Sequence, residues 1–71
     1  MTEPAFDYHV PPQIRGGVWA NEVVVFRDLE HVTIDFVRRE PRDPREGIAV
    51  ARVTLPISCI LVLVNELGGV V

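Results

Sequence analysis

A chain of 71 residues with a net charge of −3 allows one small domain and argues against a general nucleic-acid binder, whose affinity rests on neutralising phosphates. Its single cysteine, Cys59, excludes an internal disulfide, and His9 and His31 add no ligand spacing that would make a zinc site. Small folds without disulfides or metals gain stability from a second subunit or a larger partner, and that is the expectation here.

Residues 1–17 carry Pro4, Pro11, Pro12, Gly16 and Gly17. Proline lacks the donor that helices and sheets need, and glycine favours turns, so this stretch reads as an irregular arm preceding a single domain over residues 18–71. Within the arm Phe6, Tyr8 and Val10 alternate, which marks an N-terminal edge strand ending before Pro11. The start is acidic and lacks a basic region followed by an apolar run, so no signal peptide is expected. The lone thiol fits a reducing compartment, and a cytoplasmic location is expected. The longest apolar-rich stretch, Leu55 to Val64, is too short to span a bilayer.

The segment Val18 to Phe26 is rich in β-branched and aromatic residues and reads as the first strand. Arg27 to Glu30 is a polar turn. His31 to Val37 then alternates, with Val32, Ile34 and Phe36 on one face and Thr33, Asp35 and Val37 on the other, the mark of a strand with one wet face. Two prolines, a glycine and five charges make Glu40 to Gly47 a loop. Ile48 to Leu55 is the third strand.

The register of the second and third strands follows from chemistry. Setting Asp35 opposite Arg52 also sets Thr33 against Thr54, Ile34 against Val53, Phe36 against Ala51 and Val32 against Leu55. One face is then apolar, and the other pairs charges and hydroxyls, each pair contributing about 0.2–1 kcal/mol. A slip of one residue would put Arg52 into the apolar layer.

Pro56 to Leu67 follows. Proline suits a first helical turn and Gly68-Gly69 suits a stop, which favours a helix of three turns. Ile57, Ile60, Val62 and Val64 are β-branched and would also suit a strand. In either form the segment is apolar on every side. One small sheet covers one side, so the other needs a partner. The candidate interface residues are Ile57, Ile60, Leu61, Val64 and Leu67.

Trp19-Ala-Asn21, Val23-Val-Val25, Thr33-Ile-Asp-Phe36, the proline-containing loop, Ala51-Arg-Val53 and Leu55-Pro56 together resemble one family. It is the set of small bacterial and archaeal proteins grouped as domain of unknown function 3467, and the likeness covers roughly Gly17 to Leu63. The resemblance implies an α+β fold, a three-stranded antiparallel meander followed by a C-terminal helix, and a homodimer. It implies no activity. The family-typical positions are Asn21, Asp35, Phe36, Arg52 and Pro56. Relatives continue into a longer, charged helix, whereas here the last segment has no Lys or Arg.

No catalytic set can be assembled, since a nucleophile needs a positioned base. Cys59 lies in the most apolar segment, where a thiol acts as a small hydrophobe in a core. No Gly-rich phosphate loop precedes a helix, and no cofactor is implied. Arg38, Arg39, Arg42 and Arg45 cluster on the second loop and are the candidate nucleic-acid contacts. Glu40, Asp43 and Glu46 alternate with them, which favours a solvated loop. The expected function is a non-catalytic interaction module, binding itself or another protein, with a nucleic-acid-binding regulator as the alternative.

Overall fold

The computed structural model describes residues 4–68. Three strands, β1 (Glu22–Arg27), β2 (His31–Glu40) and β3 (Asp43–Pro56), form one antiparallel sheet in the order β1-β2-β3, and the helix α1 (Ile57–Leu67) follows. The fold is therefore the α+β meander with a C-terminal helix that the sequence pattern gives.

The β2–β3 register is the one that side-chain chemistry selects: Val32 faces Leu55, Thr33 faces Thr54, Ile34 faces Val53, Asp35 faces Arg52 and Phe36 faces Ala51. β1 joins with Val23 opposite Phe36, Val25 opposite Ile34 and Arg27 opposite Val32. Alternation then gathers Val23, Val25, Val32, Ile34, Phe36, Ala51, Val53 and Leu55 on one face, with Arg27 at its end. The opposite face carries Val24, Phe26, Thr33, Asp35, Val37, Arg52 and Thr54.

The β1–β2 turn is built by Asp28. Its Oδ1 accepts the backbone N–H groups of Glu30 (2.9 Å) and His31 (2.7 Å), while its own N–H donates to the His31 carbonyl (3.0 Å). This is the side-chain turn that aspartate supplies where the backbone reverses. Leu29 at the tip is 96% exposed.

Three boundaries differ from the sequence reading. Glu40 to Gly47 is not a loop: the turn is only Pro41-Arg42, Glu40 pairs with Asp43, and β3 starts at Asp43. Residues 44–46 have no partner on β2, because the register shifts between Arg39 and Glu40. Pro44 therefore sits in an irregular stretch of an edge strand, where its missing donor costs no ladder bond. The first strand begins at Glu22, not Val18. Residues 6–10 form no edge strand; among the described residues of the arm the one regular element is a 3-10 turn over Pro12–Ile14. Prolines at 11 and 12 interrupt any ladder there, and Phe6 packs instead against Tyr8, ring centroids 6.0 Å apart.

A second register shift lies between Phe36 and Val37, which pair with Ala51 and Ala49 and leave Val50 as the extra residue of a bulge. Beyond it Gly47 faces Arg39. A Cβ on Gly47 would come within 2.9 Å of Val37 Cγ1, so a residue without a side chain is needed at that crossing.

The segment 57–67 is a helix, which settles the choice between helix and strand. Pro56, at φ −64° and ψ 152°, is the residue at which extended chain becomes helical, with no loop between β3 and α1. It offers no capping side chain. The carbonyl of Glu30 accepts the Ile57 N–H instead (3.1 Å), satisfying one of the orphan donors of the first turn. At the other end the Gly68 N–H donates to the Val64 carbonyl (2.9 Å). The helix contacts β2 and β3 and does not reach β1. Among the described residues only Val32 and Asp35 are buried.

Candidate functional site

The polar groups of the face opposite the Val23–Val25 side pair with one another, beside the exposed Val24 and Phe26. Arg52 grips Asp35 through two donors, Nε to Oδ1 and Nη2 to Oδ2, the second at 2.8 Å. Side by side, the Oγ1 atoms of Thr33 and Thr54 share a hydrogen bond of 2.8 Å. The Arg52 guanidinium also stands 6.0 Å from the centroid of the Phe26 ring. The hydrogen bonds from Arg52, and then its charge, hold the Asp35 carboxyl below the usual carboxylate range, against the opposing effect of burial. The Asp35 side chain is 10% exposed and that of Arg52 67%. Each carboxylate oxygen accepts one Arg52 donor, so the arrangement is a bidentate strand-face ion pair.

Asn21, the residue before β1, docks on the backbone of Arg39. Its Oδ1 accepts the Arg39 N–H at 2.8 Å and its Nδ2 donates to the Arg39 carbonyl at 3.2 Å. Phe36 is half-buried in the middle of the apolar face. Of the family-typical positions, then, Asp35 and Arg52 meet each other, Asn21 fastens the sheet end, and Pro56 begins the helix.

Two of the four hairpin arginines form ion pairs. Arg39 pairs with Glu22 (3.2 Å) and Arg45 with Asp43 (3.4 Å), while the backbone N–H of Arg42 donates to the Glu40 carboxylate (3.4 Å). Arg38 and Arg39 line a shallow hollow of about 350 Å³ with Trp19, Glu40, Glu46 and Ile48. The fold brings Trp19 to these arginines across the sheet end, a contact that their separation in the sequence conceals. The two glutamates in the same hollow offset their charge.

Cys59 is exposed, not packed in a core as its apolar neighbours suggest. The helix projects with only part of its circumference against the sheet, and Cys59 is off the contacting side. His31 lies 3.8 Å from Asp28 through Nδ1. Among the described residues no three metal-binding side chains come together, and no helix is long and apolar enough to cross a membrane.

The remaining surface is apolar and open. On the sheet, Val23, Val25 and Val53 are exposed, Val25 by 56%. On α1, Ile57, Ile60, Leu61, Val64 and Leu67 recur at the spacing that forms one stripe of a helix. Ile57 and Ile60 are half-buried, whereas Leu61, Val64 (62% exposed) and Leu67 are in solvent. The stripe thus touches the sheet at its first turn and runs on beyond it. The sequence identifies the helical half of this surface. It does not single out the sheet half, because β-branched composition marks Val23 and Val25 as strand residues without showing that they lie open.

No family model, curated protein or solved structure matches this chain.

Proposed function

We propose that this protein is a small non-catalytic interaction module that self-associates or serves as a minor subunit of a larger assembly. The observation that carries this reading is the pair of open apolar elements, the Val23–Val25–Val53 sheet face and the outer part of the α1 stripe, on a chain with two buried residues among those described. Exposed apolar surface of this extent, rimmed by polar groups, marks protein contact sites. The family resemblance to domain of unknown function 3467 belongs to the same proposal, and so does a cytoplasmic location, which the single exposed thiol supports.

The test is the solution mass by light scattering over a range of concentrations, with an apolar dye as a second readout. The expected result is a mass above the 8.0 kDa of one chain, or a single chain that binds the dye strongly. A cooperative 8.0 kDa monomer that binds none would overturn the reading.

A second reading has one observation in its favour. Trp19 beside Arg38 and Arg39 combines a stacking surface with guanidinium groups, as single-stranded nucleic-acid sites do. Glu40 and Glu46 in the same hollow weigh against it. Its test is a band shift at low salt, lost in Arg39→Ala/Arg42→Ala.

A further inference from the structure

Hydrogen bonds alternate along an antiparallel strand: every second residue turns its N–H and C=O to the neighbouring strand, and the residues between turn theirs the other way. The Asp28 N–H donates to the His31 carbonyl, so in β1 the even-numbered residues face β2, and Val23, Val25 and Arg27 face outward. β2 agrees. Arg39, an odd-numbered residue, gives both backbone groups to Asn21 on the β1 side, and the carbonyl of the even-numbered Glu30 turns to Ile57 on the β3 side. The Val23 N–H, left without a strand, donates to Oε1 of its neighbour Glu22 (3.3 Å).

This edge is open and unguarded. Native sheets keep other strands off an edge with proline, charges, bulges or a covering element. The β3 edge has Pro44, Arg45 and Glu46 in its unpaired stretch and a bulge at Val50. Between Glu22 and Arg27, β1 has none of these, and among the described elements only β2 touches it. Its side chains are open on both faces, Val23 and Val25 on one, Val24 and Phe26 on the other.

Building on the interaction-module reading, we propose that the β1 edge takes up an extended segment of another protein as a fourth, antiparallel strand. The segment carries an acidic residue opposite Arg27, followed by β-branched or aromatic residues opposite Phe26, Val25, Val24 and Val23.

The charges choose this occupant. Glu22 is paired with Arg39 (3.2 Å), whereas Arg27 has no ion-pair or hydrogen-bond partner among the described residues. An acid directly opposite Arg27 lies on the same face of the sheet, where opposite charges attract. A second copy of β1 supplies no acid there. Paired about Val25, two copies set Val23 against Arg27 and Glu22 against Asp28, like charges opposite at both ends; paired about Val24, they set Asn21 against Arg27. The side chains of one added strand alternate between the two faces and so flank both open sides of β1 at once.

The probe is the peptide acetyl-Glu-Tyr-Val-Thr-Val-amide, titrated to millimolar concentration into the isotope-labelled full chain. The expected result is saturable shifts and slowed exchange of the Val23, Val25 and Arg27 amides. Lys in place of the peptide's Glu weakens binding about fivefold, and Arg27→Glu reverses that preference. A full chain assembled by ligation at Cys59 with an N-methyl group on Val25 loses one outward donor and no bond of the β1–β2 ladder. It keeps its far-UV circular dichroism and binds the peptide about tenfold more weakly. Binding that persists in the N-methyl chain, or shifts confined to α1, overturn the proposal and leave the interaction reading standing. So does protection of the same three amides that rises with protein concentration alone, which gives the edge to a second copy. So does a chain that binds the apolar dye and not the peptide. An 8.0 kDa monomer that binds neither removes both.

Discussion

Asn21 holds Arg39 by both ends of its side-chain amide, accepting the backbone N–H at 2.8 Å and donating to the carbonyl at 3.2 Å. The carboxamide thus acts as an extra rung of the β1–β2 ladder, at the point where the main chain of residue 21 has already turned to donate to Val37 (3.0 Å). It fastens the start of β1 to the end of β2, beyond which Trp19 and Val18 form no strand pairs.

Asn21→Ala is therefore expected to destabilise the protein by about 1 kcal/mol, the net worth of a hydrogen bond or two at an exposed site. Urea titration at fixed chain concentration measures it. Exchange of the Arg39 amide proton should quicken at the same time.

The Asp35–Arg52 pair predicts an asymmetry. Asp35 is buried and Arg52 largely exposed. Removing the arginine strands a carboxylate, while removing the aspartate strands a cation already in water. Arg52→Ala should cost more stability than Asp35→Ala at pH 7. The gap should narrow at pH 4, as the orphaned carboxyl takes up a proton. Equal losses at both pH values would contradict this account.

Acid stability has a defined sign. Asp35 is held below its ordinary value chiefly by hydrogen bonds from Arg52, and Asp28 by the backbone N–H groups of Glu30 and His31. A carboxyl whose folded pKa is depressed contributes stability in full above its unfolded value of about 3.9. That contribution is lost as pH falls through the folded value. Denaturation midpoints should be flat from neutral pH to about 5 and should fall below about 4. Asp28→Asn and Asp35→Asn should each flatten that fall.

Gly47 gives a packing test. A Cβ there meets Val37 Cγ1 at 2.9 Å, and valine, branched at Cβ, has little freedom to move aside. Gly47→Ala is expected to cost about 1–2 kcal/mol, within the range for overpacking. Much of the loss should return in Gly47→Ala/Val37→Ala, a non-additivity that a double-mutant cycle reads directly. By contrast Leu29→Ser, at the free tip of the first turn, should change stability by less than about 0.5 kcal/mol.

The centre of the fold was legible because its side chains carry opposite instructions for opposite faces. Asp35, Arg52, Thr33 and Thr54 can share only one side of a ribbon without burying charge among Ile34, Val53 and Phe36, so a single register satisfies them all. Pro56 and Gly68 bound the helix for an equally local reason. The hairpin was less legible. Pro44 and its charged neighbours resemble a loop, but an edge strand can carry an irregular stretch of that composition when residues 44–46 need no partners. Phe6, Tyr8 and Val10 alternate like a strand, yet alternation does not create a neighbour with free backbone groups. Cys59 reads as interior because its neighbours in sequence are apolar. Whether it is covered depends on which elements pack over it, a property of the tertiary arrangement and not of any one segment.

The junction of β3 and α1 has no spacer, and this sets how the helix can move. The proline ring fixes φ of Pro56 near its observed −64°, and the hydrogen bond from Ile57 to Glu30 restrains the next residue. Rotation about ψ of Pro56 would carry the Ile57 N–H away from the Glu30 carbonyl, so that torsion is restrained as well. The direction in which the helix, about 16 Å long, leaves the sheet is thus set at its first residue. Replacing Pro56 by glycine would free φ at the junction while leaving every apolar contact residue in place.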